Sequence, residues 1–298
     1  MSYNYEDLSI GEIKDLMRQW RENNERRSED VMEFWVTIMD DINKLGNEKY
    51  VILEQVLYAA LDTHTYSVSK QCISLLKQEF PGSMRVLRYK AAQLEAEERY
   101  EEALELLDVI IKADETNAAA RKRRVAILKA QGLIVEAIKE LVDYLKKFMS
   151  DVEAWQELCE LYLQSGEYAR AAFCGEELLL HQPHSHLHLQ RLADIRYTMG
   201  GMENMELAKT YYCQAVKLNP DNMRALLGLF LATNNLLNCY KSSGNSSKRQ
   251  EVLKLCQWSQ VLAAVVQEVL VGVLDGARAR HVVPARVLRH HRLREQAY

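Results

Sequence analysis

The sequence predicts an all-α fold, a solenoid of helical hairpins with helical caps at its two ends. Three observations carry this. Only 12 Gly and 4 Pro occur among 298 residues, too few for the many turns of a loop-rich β-sandwich. Apolar residues near both ends of the chain fall at helical spacing. Most directly, alanines and prolines recur with a shared period. Ala103, Ala137 and Ala171 are evenly spaced, by 34 and 34, and Ala208 follows after 37. Pro81 and Pro183 lie 102 apart, three times 34, and Pro220 follows after the same 37. Two residue types sharing one period and one insertion exclude accidental spacing.

Charge and composition narrow the function. Lys and Arg number 38 against 42 Asp and Glu, for a net charge of −4. A nucleic-acid-binding chain carries a basic excess, so no nucleic-acid partner is expected. The opening Met1-Ser2-Tyr3-Asn4-Tyr5-Glu6-Asp7 is polar and acidic, unlike a secretory signal. The longest apolar stretch, Val261 to Leu274, is interrupted by Gln267 and Glu268 and falls short of the roughly 20 residues a span requires. The six cysteines, at 72, 159, 174, 213, 239 and 256, form no C-x-x-C pair and read as reduced, packed thiols.

This period is that of the tetratricopeptide repeat, a pair of antiparallel helices whose copies stack into a right-handed superhelical solenoid. Residues 152–185 carry the pattern best, with Trp155, Leu158, Cys159, Tyr162, Ala171, Leu178 and Pro183. In the same phase the repeats are 50–83, 84–117, 118–151, 152–185 and 186–222. The recurring alanine sits where the second helix crosses the first, and its small side chain lets the backbones approach. Each proline stands just past a second helix, which its missing N–H and fixed φ bring to a stop. The insertion is placed between the two helices of the fifth repeat, as a longer loop around Gly200-Gly201-Met202-Glu203-Asn204.

Residues 1–49 read as an N-terminal helical cap, needed to cover the first repeat. Ser9-Ile10-Gly11-Glu12 matches a capping box, with Ile13, Leu16, Met17 and Trp20 following at helical spacing. Ser28 is the expected cap of a second helix bearing Val31, Trp35, Ile38, Met39 and Ile42. Residues 223–274 read as capping helices, interrupted by a Ser/Gly/Asn loop at 241–247. Val252, Leu255, Leu262, Val266, Val269 and Val273 share the apolar face of the last of them. The remainder, 275–298, is an Arg/His-rich tail expected to be poorly ordered.

No catalytic constellation is present: no Gly-rich phosphate loop, no G-x-S-x-G, no H-E-x-x-H. No cofactor is expected. His181, His184, His186 and His188, with Cys174 nearby, form the one cluster suggestive of metal. They occupy a turn beside Pro183 where polar residues are expected anyway, and no metal is assigned. A binding surface is the better reading. Positions 2, 5, 9 and 12 of each first helix face the inner side of such a solenoid. They carry Arg85, Arg88, Lys122 and Lys129 in the second and third repeats, then Glu153, Glu160 and Asp194 in the fourth and fifth. A surface basic at one end and acidic at the other would orient an extended or helical partner. Arg121 and Arg124 occupy positions that are usually apolar, and their guanidinium groups are expected to reach a partner's carboxylates.

Several stretches go beyond the generic repeat. They are Trp20-Arg21-Glu22-Asn23, Phe80-Pro81-Gly82-Ser83, Ala120-Arg121-Lys122-Arg123, Glu153-Ala154-Trp155-Gln156-Glu157-Leu158, Tyr168-Ala169-Arg170-Ala171-Ala172-Phe173-Cys174 and Asn222-Met223-Arg224-Ala225-Leu226, with the Gly200–Asn204 insertion. Through these, residues 8–260 resemble the family of subunit 2 of the endoplasmic reticulum membrane protein complex. The resemblance implies a non-catalytic scaffold in a complex that inserts tail-anchored and multipass proteins. It further implies a peripheral location on the cytoplasmic side of the endoplasmic reticulum, with partners among both the membrane-embedded and the soluble subunits. A rival reading is a tetratricopeptide adaptor that grips heat-shock chaperones through a carboxylate clamp. Such a clamp takes Lys at position 5 and Asn at position 9; here Arg88 or Lys122 meets Ala92 or Ala126. In the repeat phase Trp155 is core, and its truncation is expected to cost about 3–5 kcal/mol.

Overall fold

The structure, a computed structural model, describes residues 8–243 and 246–274. The Arg/His-rich tail and the first seven residues lie outside the described residues. Every described element is helical. The chain divides into two compact units, Met1–Glu140 and Leu141–Tyr298.

The first unit opens with α1 (Ile10–Glu22), started by the capping box. The Glu12 carboxylate accepts the Ser9 N–H at 2.8 Å while Ser9 Oγ faces the Glu12 N–H. Ile13, Met17 and Trp20 form its buried face. Helix α2 (Ser28–Ile38) buries Val31, Phe34, Trp35 and Ile38, and Phe34 stacks on Trp20 with ring centres 5.4 Å apart. Ser28 does not cap it: the hydroxyl donates to Asp62 at 2.6 Å, and no side chain caps α2. A 3₁₀ segment (Ile42–Glu48) leads into two hairpins, α3 (Lys49–Asp62) with α4 (Tyr66–Glu79), and α5 (Met84–Ala96) with α6 (Tyr100–Ala113). Next come α7 (Ala118–Ala130) and α8 (Ile134–Lys147), the latter running past the unit boundary. The second unit contains α9 (Val152–Gln164) with α10 (Tyr168–His181), α11 (His186–Met199) with α12 (Met202–Leu218), then α13 (Met223–Ser243) and α14 (Ser246–Leu274). Helix thus takes in most of the stretch read as a Ser/Gly/Asn loop.

The repeat period is written in the backbone as well as in residue types. Ala103, Ala137, Ala171 and Ala208 are each 0% exposed, and so is Ser69, one period before Ala103. At this position the paired helices touch: the Cys159 thiol donates to the Ala171 carbonyl at 3.4 Å. A second instance of close approach is Gly228 on α13, where an added Cβ would come 2.4 Å from the Tyr212 ring. First helices are capped in phase too. Asn117, Asp151, Ser185 and Asn222 each accept from the N–H three residues on, satisfying an otherwise orphaned donor.

The turn inside each hairpin repeats most strictly of all. His64, Glu98, Gly132, Gly166 and Gly200 follow one another at a single period and all take positive φ, at 57°, 61°, 77°, 74° and 72°. Glycine adopts this left-handed conformation freely, whereas a side chain there costs about 1–2 kcal/mol.

The insertion is not a longer loop. Its three residues form one extra turn at the start of α12, which has 17 residues where α4, α6 and α10 have 14. Asn204 ties this turn down, donating to the Gly200 carbonyl at 2.9 Å and accepting from Arg196 at 3.2 Å.

Glu98 is exposed and sits at the turn position that glycine fills in three repeats. Glu98→Gly is expected to raise stability by about 0.5–1 kcal/mol, the relieved strain exceeding the added chain entropy. A higher urea midpoint at unchanged slope is the check.

Candidate partner-binding site

In the first unit α5 carries Arg85 and Arg88, and α7 carries Lys122 and Lys129. Arg85 is exposed, pairs with Glu54 of α3, and donates Nε to the Tyr89 hydroxyl. Arg88 is half-buried, its guanidinium carbon 5.9 Å from the centre of the Tyr89 ring. Burial first, and then Glu54, push the Tyr89 phenol up to about 12, so it stays a neutral donor. Lys122 and Lys129 are half-buried on α7, and between them Arg123 pairs with Glu95 of α5 at 2.7 Å. In the second unit Glu153 is exposed on α9, and Glu160 pairs with Arg191 of α11 at 3.2 Å. Asp194 of α11 pairs with Arg224 of α13 at 3.0 Å and accepts the Tyr212 hydroxyl at 2.5 Å.

A regularity absent from the sequence reading emerges here. Glu54–Arg85, Glu95–Arg123, Glu160–Arg191 and Asp194–Arg224 each join an acid on one first helix to an arginine on the next first helix. The arginine follows its acid by 28 to 31 residues. Glu54, Glu95, Arg123, Arg191 and Arg224 were therefore missed, although a search for acids and arginines one repeat apart would have found them. Each such pair neutralises charge locally, so Arg85, Glu160 and Asp194 present less net charge than residue types alone suggest. Partly exposed pairs of this kind add little stability, and their role is registration between neighbouring helices.

Arg121 and Arg124 depart from expectation. Arg121 is 8% exposed and donates Nε to the Glu115 carbonyl at 3.0 Å. Arg124 pairs with Asp108 at 2.6 Å and Glu140 at 3.5 Å. Both guanidinium groups serve internal contacts, because a half-buried cation binds the nearest acceptor rather than remain unpaired.

Trp155 departs as well. It is half-buried, donating Nε1 to the Met149 carbonyl at 2.8 Å, and lines an apolar recess of about 490 Å³ with Leu158 and the exposed Met149 and Phe173. Two of the histidines have partners within the fold: His186 Nδ1 lies 3.0 Å from Asn222 Nδ2, and His188 Nε2 lies 3.0 Å from Gln182 Oε1. Burial lowers the His188 pKa and raises the Cys174 thiol to about 12. Among the described residues no helix is long and apolar enough to cross a membrane.

A cleft of the first unit is larger, about 540 Å³, and lies among α1, the start of α2 and α3. Trp20, Arg21, Arg27, Glu54, Tyr58 and Arg123 contribute to its walls. Nearby, Asp62 is gripped by Arg26 and Ser28.

Comparison with known proteins settles the family. A family model described as the EMC2 TPR-like repeat domain matches residues 74–213. The ER membrane protein complex subunit 2 of Xenopus tropicalis is 44% identical over 254 residues, 85% of each chain. This chain belongs to the family of ER membrane protein complex subunit 2. A member of that family from Dictyostelium discoideum is 32% identical over 262 residues, 83% of this chain and 80% of its own. The solved C-terminal part of a TPR repeat-containing protein from Cytophaga hutchinsonii covers 82% of this chain and 94% of its own, with a TM-score of 0.57. At 14% identity that likeness is one of fold, a tetratricopeptide solenoid.

Two outcomes follow for this family member. Asp62 is held below the ordinary aspartate value of 3.8, chiefly by the Arg26 hydrogen bond. A depressed folded pKa stabilises the protein above the unfolded value, and the gain is lost as pH falls through the folded value. Asp62→Asn should therefore lower stability at neutral pH and match the parent in strong acid, as read from urea melts along a pH series. Trp155→Ala should cost about 1.5–3 kcal/mol, below the range for a fully buried tryptophan, because part of its surface is already in water.

Proposed function

We propose that this chain is a non-catalytic subunit of the ER membrane protein complex, holding cytosolic segments of membrane-embedded subunits while that complex inserts tail-anchored and multipass proteins. The observation that carries the reading is the 44% identity to the frog subunit across 85% of both chains. The geometry supports it. Side-by-side first helices offer charged and polar side chains on a rigid base, the arrangement suited to clasping an extended segment. Arg85, Arg88, Lys122 and Lys129 give the first unit a basic contact surface, and Glu153, Glu160 and Asp194 give the second an acidic one. The chain is held at the cytoplasmic side of the endoplasmic reticulum peripherally, through its partner subunits and a second soluble subunit.

Affinity isolation of the tagged full chain from detergent extract tests this. Several integral membrane proteins should be recovered in fixed ratio. Recovery of heat-shock chaperones alone would overturn the reading in favour of a chaperone adaptor. Charge reversal at Lys122 and Lys129 together should reduce recovery of the membrane subunits about tenfold without unfolding the protein; undiminished recovery removes these two lysines from the surface.

A further inference from the structure

The cleft beside the N-terminal helices has an unmatched charge. Four arginines line it: Arg21, Arg26, Arg27 and Arg123. Arg26 pairs with Asp62, Arg27 with Glu25 and Asp30, and Arg123 with Glu95. The cleft's own acids are engaged too, Asp62 and Glu25 in those pairs and Glu54 by Arg85. Arg21 is the exception. It is half-buried, and among the described residues its guanidinium makes one hydrogen bond, NH1 donating to the neutral Gln55 Oε1 at 2.6 Å. Glu48 and Glu22 attract it from a distance without a hydrogen bond, and Glu48 is held through Oε1 by Lys14 and Arg18, its Oε2 buried without a partner. A guanidinium carries five N–H donors in a planar fork, so most of the Arg21 fork remains to be matched. Burial accordingly lowers the Arg21 pKa. Apolar surface borders the same cleft, in Val51, 43% exposed, and the half-buried Tyr58.

We propose that this cleft binds an acidic, partly apolar peptide segment of a partner protein, with Arg21 as the residue that takes its carboxylate. A carboxylate matches the planar fork of arginine with two parallel hydrogen bonds, and the half-buried setting strengthens them relative to open water. Val51 and Tyr58 accept the neighbouring apolar side chain. The site names the chemistry of one segment held by the contact surface proposed above. It rests on that reading only in taking the segment's owner to be a fellow subunit.

The test uses the full chain and a fluorescein-labelled peptide of repeating Leu-Glu-Glu, alongside its Leu-Gln-Gln counterpart. Binding is followed by anisotropy at low and moderate salt. The acidic peptide should bind about tenfold more tightly than the neutral one, and Arg21→Gln should abolish that difference. Val51→Glu, a change at an exposed position, places a carboxylate in the cleft and should compete with the peptide to similar effect. Thermal melts confirm that both variants fold. Equal binding of the two peptides, or discrimination that survives Arg21→Gln, would overturn the proposal. So would a peptide that fails to bind while vesicles containing anionic lipid bind in an Arg21-dependent way, since the ligand would then be a membrane surface. If membrane subunits co-purify but the peptides are not distinguished, only this site fails. If the peptides are distinguished but no membrane subunit co-purifies, the site stands and the complex reading fails.

Discussion

Close approach of two helices at one small residue is the constraint on which the rest of this structure depends. Ser69, Ala103, Ala137, Ala171 and Ala208 are all fully buried at that point. The Cys159–Ala171 contact shows how near the backbones come. Once the crossing is set, the helix lengths, the left-handed turn before it and the polar cap after it follow with the same period. A side chain larger than alanine at the crossing would separate the pair and disturb the stacking on both sides, since a packed interior has little room to yield. The extra turn of α12 respects this rule. It adds three residues ahead of Ala208 and leaves the distance from that alanine to Pro220 the same as from Ala171 to Pro183.

With the hairpins fixed, the faces of the first helices become available for other roles, and their charges divide into two groups. One group ties α3 to α5 and α5 to α7 in the first unit, and α9 to α11 and α11 to α13 in the second, each through an acid and an arginine. The other, including Arg88, Lys122, Lys129 and Glu153, lies beside these ties on the same helices. Arg21 differs from both, since among the described residues its guanidinium hydrogen-bonds an amide and no carboxylate. Family membership makes sense of a chain that devotes its helices to presentation: a subunit of a larger assembly needs surfaces of defined chemistry held rigidly, and the described residues provide these through packing alone.

Much of the fold was legible in the residues, for identifiable reasons. Alanine and proline recur because the backbone admits few substitutes at the crossing and past the second helix. The capping box at Ser9 and Glu12 was legible because both halves of its reciprocal bond lie within one turn. Other features were hidden. His64 and Glu98 share the left-handed turn with three glycines, and nothing in their types announces a positive φ. Ser28 was read as a cap from its local context, but Asp62, distant in sequence, offers its hydroxyl a better acceptor. Trp155 matched the motif of the repeat, yet it is only partly buried and lines a recess with the exposed Met149 and Phe173.

Sequence alone therefore determined the helical hairpin, its period and the family, because these depend on side chains close together along the chain and on positions where sterics allow few residues. Tertiary structure decided which charges are available. Arg85, Glu160 and Asp194 found partners about one repeat away, and Arg121 and Arg124 turned inward, because a charged side chain near the protein surface selects whatever acceptor packing brings within reach. Pairing of that kind is a property of distances in space, which no residue type records.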